Sequence, residues 1–180
     1  MSGEITEAEE KRYAELQLLA LDSARHGETA TLESMIEAGL PVNLADHKEN
    51  TLLMLAAYNG QPETTAMLVR RGAEVDRRNA RGQTPLGGVA FKGEVDVARI
   101  LLDAGADINA DNGSGMTPLM VAAMFGRTQI VALLKERGAN TRARNRFGMS
   151  AGLLGFLSRL LLLFFKKRSP AAFTAAKGAR

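Results

Sequence analysis

The sequence predicts an all-α repeat solenoid of helix–turn–helix units separated by projecting turns. The first observation behind this is self-similarity at one period. Thr51, Thr84 and Thr117 are 33 residues apart, as are Gly27, Gly60, Gly93 and Gly126, and again Gly39, Gly72, Gly105 and Gly138. Leu68–Val69 returns as Leu101–Leu102 and, with its second member replaced, as Leu134–Lys135. The second is composition: the chain is 46% hydrophobic but only 5% aromatic, without Trp, which suits small repeated cores of Leu, Ala, Val and Met better than one large core. The third is physical. A single pair of short helices leaves its apolar face bare, and stacking units at a fixed period covers it.

The elements follow in order. Residues 1–12 form an acidic extension without the basic and apolar regions of a secretory signal. Unit one, 13–45, is degenerate in the manner of an end cap. Leu18 to Gly27 stands where later units have Thr and an apolar run, and Asp22, Ser23, Arg25, Glu28, Glu33 and Glu37 place polar groups where only one neighbour needs covering. Glu7 to Leu19 is expected to lengthen its first helix. Units two, three and four are 46–78, 79–111 and 112–144. In unit three, Thr84 is placed to cap a helix and Pro85 sits in its first turn, where a missing N–H costs nothing. Gly93 breaks the chain before a second helix, Val95 to Leu102, with an expected stripe of Val95, Ala98, Leu101 and Leu102. Gly105 is the expected C′ residue, and Ala106 to Ala110 is a projecting turn. Thr51 to Asp76 and Thr117 to Thr141 read the same way. Gly87–Gly88 lies inside a helix at a cost of about 1 kcal/mol each against Ala. Unit three is therefore the least stable, or a close backbone contact requires the glycines.

The frame continues through Gly148 and Ser150, which take the places of Gly115 and Thr117, and then fails. Residues 145–168 form an atypical C-terminal capping helix: GLLGFLSRLLLLFFKKR has Arg159 where a glycine break is due, and Leu160 to Phe165 is apolar on every side. Three accounts compete. The segment caps the stack and uses its surplus apolar surface for self-association; it associates with a membrane ahead of Lys166–Lys167–Arg168; or it is a chain end altered by a shifted reading frame. Its apolar span falls short of the roughly 20 residues that cross a bilayer. Residues 169–180 read as a basic, disordered tail.

Charge is divided unequally. Met1 to Thr141 holds 14 Lys and Arg against 20 Asp and Glu, a net of −6, whereas Arg142 to Arg180 holds 9 basic residues and no acid. The basic isoelectric point thus describes the tail, and the acidic body argues against a general nucleic-acid binder. With no Cys there is no disulfide, thiol nucleophile or cysteine metal site, which fits a cytoplasmic location. His26 and His47 lie on different units, and Asp107, Asp111, Glu74 and Asp76 are turn residues without an acid–base setting. Phosphate loops, dinucleotide loops and nucleophile elbows are absent from the sequence. The expectation is a protein that is not an enzyme and has no cofactor and no metal.

The units carry a recognisable motif. TLLM (51–54), TPLG (84–87) and TPLM (117–120) are followed by LAAYNG, GVAFKG and VAAMFG, and GLPVNL, GAEVDR, GADINA and GANTRA start at Gly39, Gly72, Gly105 and Gly138. From Tyr13 to Arg144 the chain resembles the ankyrin repeat family, and among its members the small, free-standing bacterial ones. The resemblance implies β-hairpin-like turns and a function in binding a protein partner of unknown identity along a concave groove. The family's structural histidine is replaced by Met54, Gly87 and Met120, which is expected to soften the turns between units.

Carried over position by position, the groove comprises turn-tip and first-helix residues. The tips supply His47, Lys48 and Asn50; Arg78, Ala80, Arg81 and Gln83; Asp111, Gly113, Ser114 and Met116; and Arg144, Arg146 and Phe147. The first helices supply Arg25, His26, Tyr58, Asn59, Phe91, Lys92, Met124 and Phe125. Tyr58, Phe91 and Met124 repeat every 33 residues, and Phe125 adds a ring. They form either an exposed binding strip or packing under the next unit's turns. Arg70, Arg71, Arg77, Arg78 and Arg81, with Arg142, Arg144 and Arg146 further on, are either a solvated face or the complement of an acidic partner. Nucleic acid is not the expected partner. Membrane contact is expected only through 152–168, and the alternative function is self-association or lipid docking through that segment.

Overall fold

Three threonines begin the interior units, and each caps a helix as its spacing predicts. Thr51, Thr84 and Thr117 sit in extended backbone and accept hydrogen bonds from the backbone N–H of Met54 (3.1 Å), Gly87 (3.2 Å) and Met120 (3.3 Å). Ser150 keeps the register and accepts from Leu153 N–H at 3.4 Å. Thr6 was not anticipated as a cap; with Glu9 it closes a reciprocal capping box that starts the first helix.

In the computed structural model, which describes residues 6–167, the elements are α1 (Glu7–His26), α2 (Thr29–Glu37), α3 (Leu52–Tyr58), α4 (Pro62–Arg70), α5 (Pro85–Lys92), α6 (Val95–Asp103), α7 (Pro118–Met124), α8 (Thr128–Glu136) and α9 (Ala151–Lys167). The expected tail at 169–180 lies outside the described residues. Odd-numbered helices pack in one row, α1 on α3, α3 on α5, α5 on α7 and α7 on α9, while α2, α4, α6 and α8 form a second row behind them. This is the all-α solenoid expected from the period. Among the described residues there is no strand; the turn before α3 carries one isolated antiparallel bridge, between Ala45 and Thr51.

The core runs between the rows without interruption, from Ala20, Ala24 and Leu32 through Leu52, Leu53, Met67 and Leu68 to Leu119, Ile130 and Leu134. Small residues such as Ala56, Ala57, Ala90 and Ala122 let first-row helices approach closely. One expected stripe is shifted. α6 buries Val97, Ala98 and Leu101, while Val95 and Leu102, in its first and last turns, are only partly covered. The end helices differ from the interior ones. α1 has 20 residues and α9 has 17, against seven or eight in α3, α5 and α7. No second-row helix follows α9 among the described residues.

Candidate functional site

The turn tips are stapled by one side chain each. Asp46 Oδ1 accepts from the N–H of Lys48 (2.9 Å) and Asn50 (3.0 Å), Asn79 Oδ1 from Arg81 and Gln83 (both 3.0 Å), and Asn145 Oδ1 from Phe147 and Met149 (both 3.0 Å). The next-to-last tip position turns left-handed, at Glu49, Gly82, Gly115 and Gly148. Glu49 is the only one of the four with a Cβ to accommodate there.

The tip between α6 and α7 is built differently. Asp111 supplies the staple, accepting from Gly113 and Gly115 N–H at 2.8 Å. Asn112 is thereby free to turn back into unit three, where its Oδ1 accepts from Thr84 N–H (2.8 Å) and from the Thr84 hydroxyl (3.0 Å). Its amide occupies the space that a side chain at position 87 would need: a Cβ on Gly87 would stand 1.9 Å from Asn112 Oδ1. The helical glycine therefore serves a close approach. The softening expected from the missing histidine is offset here by Asn112. Elsewhere the tips are stitched directly, Ala80 N–H to Lys48 O and Arg146 N–H to Ser114 O, both at 3.0 Å, and Asn79 Nδ2 to Asn50 Oδ1 at 2.9 Å. Met54 and Met120 fill the core at the two remaining motif-histidine positions.

At the opposite end of the first-row helices the aromatic residues form a ladder. Tyr58 stacks on Phe91 with centroids 6.3 Å apart and planes at 6°, and Phe91 meets Phe125 edge-on at 4.5 Å. Lys92 Nζ lies 5.1 Å from the centre of the Tyr58 ring. Tyr58 and Phe125 remain 39% and 44% exposed, and Phe91 between them is half-buried. In sequence the series runs Tyr58, Phe91, Met124; in space it runs Tyr58, Phe91, Phe125. Met124 packs partly into the core, and Phe125, the C-cap residue of α7, takes the outward place.

Many of the carried-over polar residues are engaged within the stack. Arg25 pairs with Asp22 (2.6 Å) and Asp46 (3.5 Å), His26 Nδ1 bonds to Asp22 O, and Asn59 Nδ2 donates to Leu55 O. Arg78 and Arg144 brace their own tips on Gly82 O (3.0 Å) and Gly148 O (2.7 Å), and Arg78 also donates to Asp111 O. Asn50 Nδ2 donates to the Asp46 carboxylate, Gln83 Oε1 accepts from Asn79, and Met116 Sδ accepts from Asn145. His47, Lys48, Arg81, Ser114 and Arg146 are exposed, and among the described residues their side chains have no hydrogen bond or ion pair. Two residues that sequence reasoning missed close the helix ends under the ladder: Gln61 Nε2 donates to Arg25 O and Arg127 Nε to Phe91 O at 2.8 Å. Their place in the 33-residue register, directly after Gly60 and Gly126, was the available signal.

Electrostatics separates the tips from the second-row side. There the arginines are paired across units, Arg71 with Glu33 (2.9 Å) and Glu37, and Arg137 with Asp103 (2.7 Å), while Arg77 lies 3.8 Å from Glu74. The tip cations Lys48, Arg81 and Arg146 keep their field. Burial works against the charged form of Asp46, but hydrogen bonds from the Asn50 side chain and backbone and from Lys48 N–H outweigh it and hold this carboxyl below the usual range. Among the described residues there is no His, Cys, Asp and Glu cluster able to hold a metal ion, and no helix long and apolar enough to cross a membrane.

The residues that build these tips and ladders match the family model of ankyrin repeats over 20–112 and 53–145. The chain belongs to the ankyrin repeat family. Over 37 residues it is 51% identical to an ankyrin repeat protein of Pseudomonas aeruginosa; the alignment covers 21% of this chain and 22% of that one. The ankyrin stack described here thus has a bacterial relative, matched over about one repeat.

Proposed function

We propose that this ankyrin stack is a non-enzymatic scaffold that holds one protein partner along the side lined by the turn tips and first-row helices. The observation that carries this reading is the Tyr58–Phe91–Phe125 ladder. Three rings from three successive units are stacked into a pre-ordered row, yet two of them stay substantially exposed. Rigid aromatic surface of this kind supplies binding energy at little entropic cost. The uncompensated Lys48, Arg81 and Arg146 favour an acidic stretch on the partner, which would be steered to the tips before the rings engage. Residues 13–45, 46–78, 79–111 and 112–144 are the proposed repeat boundaries.

The test is capture from native lysate with the full chain and with a Tyr58→Ala/Phe125→Ala variant, followed by calorimetry on the isolated partner. A partner retained by the wild type and lost by the variant, with unfolding lowered by no more than the about 1–3 kcal/mol of the two ring contacts, supports the groove. Equal capture by both would remove it.

A further inference from the structure

The C-terminal helix presents an apolar seam that the rest of the stack does not use. α9 lies on α7 through Ala151 and Leu154, with Gly155 passing Ala123 closely. At 100° per residue, Leu153, Phe156, Leu157, Leu160 and Leu163 fall on the face turned away from α7. All five are between 40% and 65% exposed. Leu153, Leu157 and Leu160 are spaced four and three, as are Phe156, Leu160 and Leu163, which is the spacing of a helix-pairing seam. The five seam residues expose on the order of 450 Å² of apolar surface, in the roughly 300–600 Å² range of a typical monomer's largest and often functional patch.

We propose that the occupant of this seam is α9 of a second copy, giving a closed, two-fold dimer with the two helices antiparallel. The other end of the stack is no match for it. α1 also exposes Tyr13, Leu16, Leu18 and Leu19, but its face opposite the buried Ala20 and Ala24 carries Lys11, Glu15 and Asp22 beside Leu18, so a head-to-tail contact would bury these charges against leucines. An identical seam is matched by itself, and a self-complementary contact closes instead of propagating. The direction follows from the helix dipole: α9 has 17 residues, and antiparallel pairing sets the positive N-terminal end of each helix beside the negative C-terminal end of the other, whereas a parallel pair sets like ends together. A lipid surface fits less well. An interfacial helix flanks its apolar face with cations along its length, whereas between Ala151 and Leu163 the one charge is Arg159, which lines the groove of about 570 Å³ beside α8 together with Lys135, and Lys166 and Lys167 follow only at the helix end.

Sedimentation of the full 19.3 kDa chain should give twice that mass, and Leu157→Glu/Leu160→Glu should weaken self-association roughly 100-fold or more while leaving the far-UV spectrum unchanged. Since the chain has no cysteine, single replacements report the direction. Under oxidation Leu157→Cys, near the two-fold axis, should cross-link to itself. Leu153→Cys should not, but should cross-link when mixed with Leu163→Cys. Self-cross-linking of Leu153→Cys would overturn the antiparallel arrangement. A monomeric wild type, or a dimer indifferent to Leu157→Glu/Leu160→Glu, would overturn the proposal. Flotation of a monomeric wild type with anionic vesicles would assign the seam to lipid instead. None of these readouts depends on the aromatic ladder, so the groove reading and the dimer fail separately.

Discussion

Replacing Gly87 by Ala sets two effects against each other. Helix propensity alone favours Ala over Gly in α5, by at most about 1 kcal/mol at this first-turn position. The tertiary contact opposes it, because the new Cβ would lie 1.9 Å from Asn112 Oδ1 and 2.4 Å from its Cγ. Asn112 would have to leave, and Thr84, which is fully buried, would lose acceptors for its N–H (2.8 Å) and hydroxyl (3.0 Å). A buried donor left without a partner costs about 1–3 kcal/mol, and the second hydrogen bond about 0.5–1.5 kcal/mol. The net expectation is a loss of about 1–3 kcal/mol, or roughly 3–10 °C in melting temperature at this chain length. Urea unfolding followed by circular dichroism measures it. Asn112→Ala should cost a similar amount, and Gly87→Ala/Asn112→Ala should be no less stable than Asn112→Ala alone, since the vacated space accepts the methyl group. Stabilisation by Gly87→Ala, or additive losses in the double variant, would refute the close-approach account.

The remaining predictions concern the neighbouring glycine, the caps, the first tip and the ladder. At Gly88 a Cβ meets Tyr58 Cδ2 at 3.2 Å, and an exposed ring can yield, so Gly88→Ala should change stability by less than about 1 kcal/mol in denaturant titration. Thr51→Ala and Thr117→Ala should each cost about 1 kcal/mol, and Thr84→Ala about 2 kcal/mol because its hydroxyl also serves Asn112. Asp46, 8% exposed at its side chain, has a lowered pKa in the folded state, so its contribution is present above the ordinary carboxylate pKa and fades as pH falls through the folded value. Wild type should therefore exceed Asp46→Ala by about 1–2 kcal/mol at neutral pH. The difference should shrink on acidification, as followed by unfolding at a series of pH values. Phe125→Ala removes an edge-on contact worth about 0.5–1.5 kcal/mol and should cost little more than that in thermal unfolding, because the ring is already 44% exposed.

The sequence by itself determined the period, the two-helix unit, the threonine caps and the left-handed glycines that end the helices. These depend on atoms within a few residues of one another: a hydroxyl meets the N–H three positions on, and a C′ glycine needs only its own φ. It also marked the set of tip and first-helix positions among which the proposed groove lies. Only the tertiary structure decided which members of that set face outward, since their surroundings come from the neighbouring units: Asn50 meets Asn79 and Arg78 meets Asp111 O, 29 and 33 positions apart. Asn112 enters unit three because Asp111, standing where Arg78 and Arg144 precede Asn79 and Asn145, takes over the staple of its tip; its destination, Thr84, lies 28 residues away. Phe125 replaces Met124 in the ladder: Met124 packs partly into the core, and the ring of the C-cap residue Phe125 meets Phe91 edge-on. The sequence marked α9 as apolar on every side; the structure decided that Ala151 and Leu154 face the stack and that Leu153, Phe156, Leu157, Leu160 and Leu163 lie exposed, because α7 covers one face of the helix. Burial belongs to the assembly of elements, and a run of apolar residues specifies the need for a partner without specifying which one.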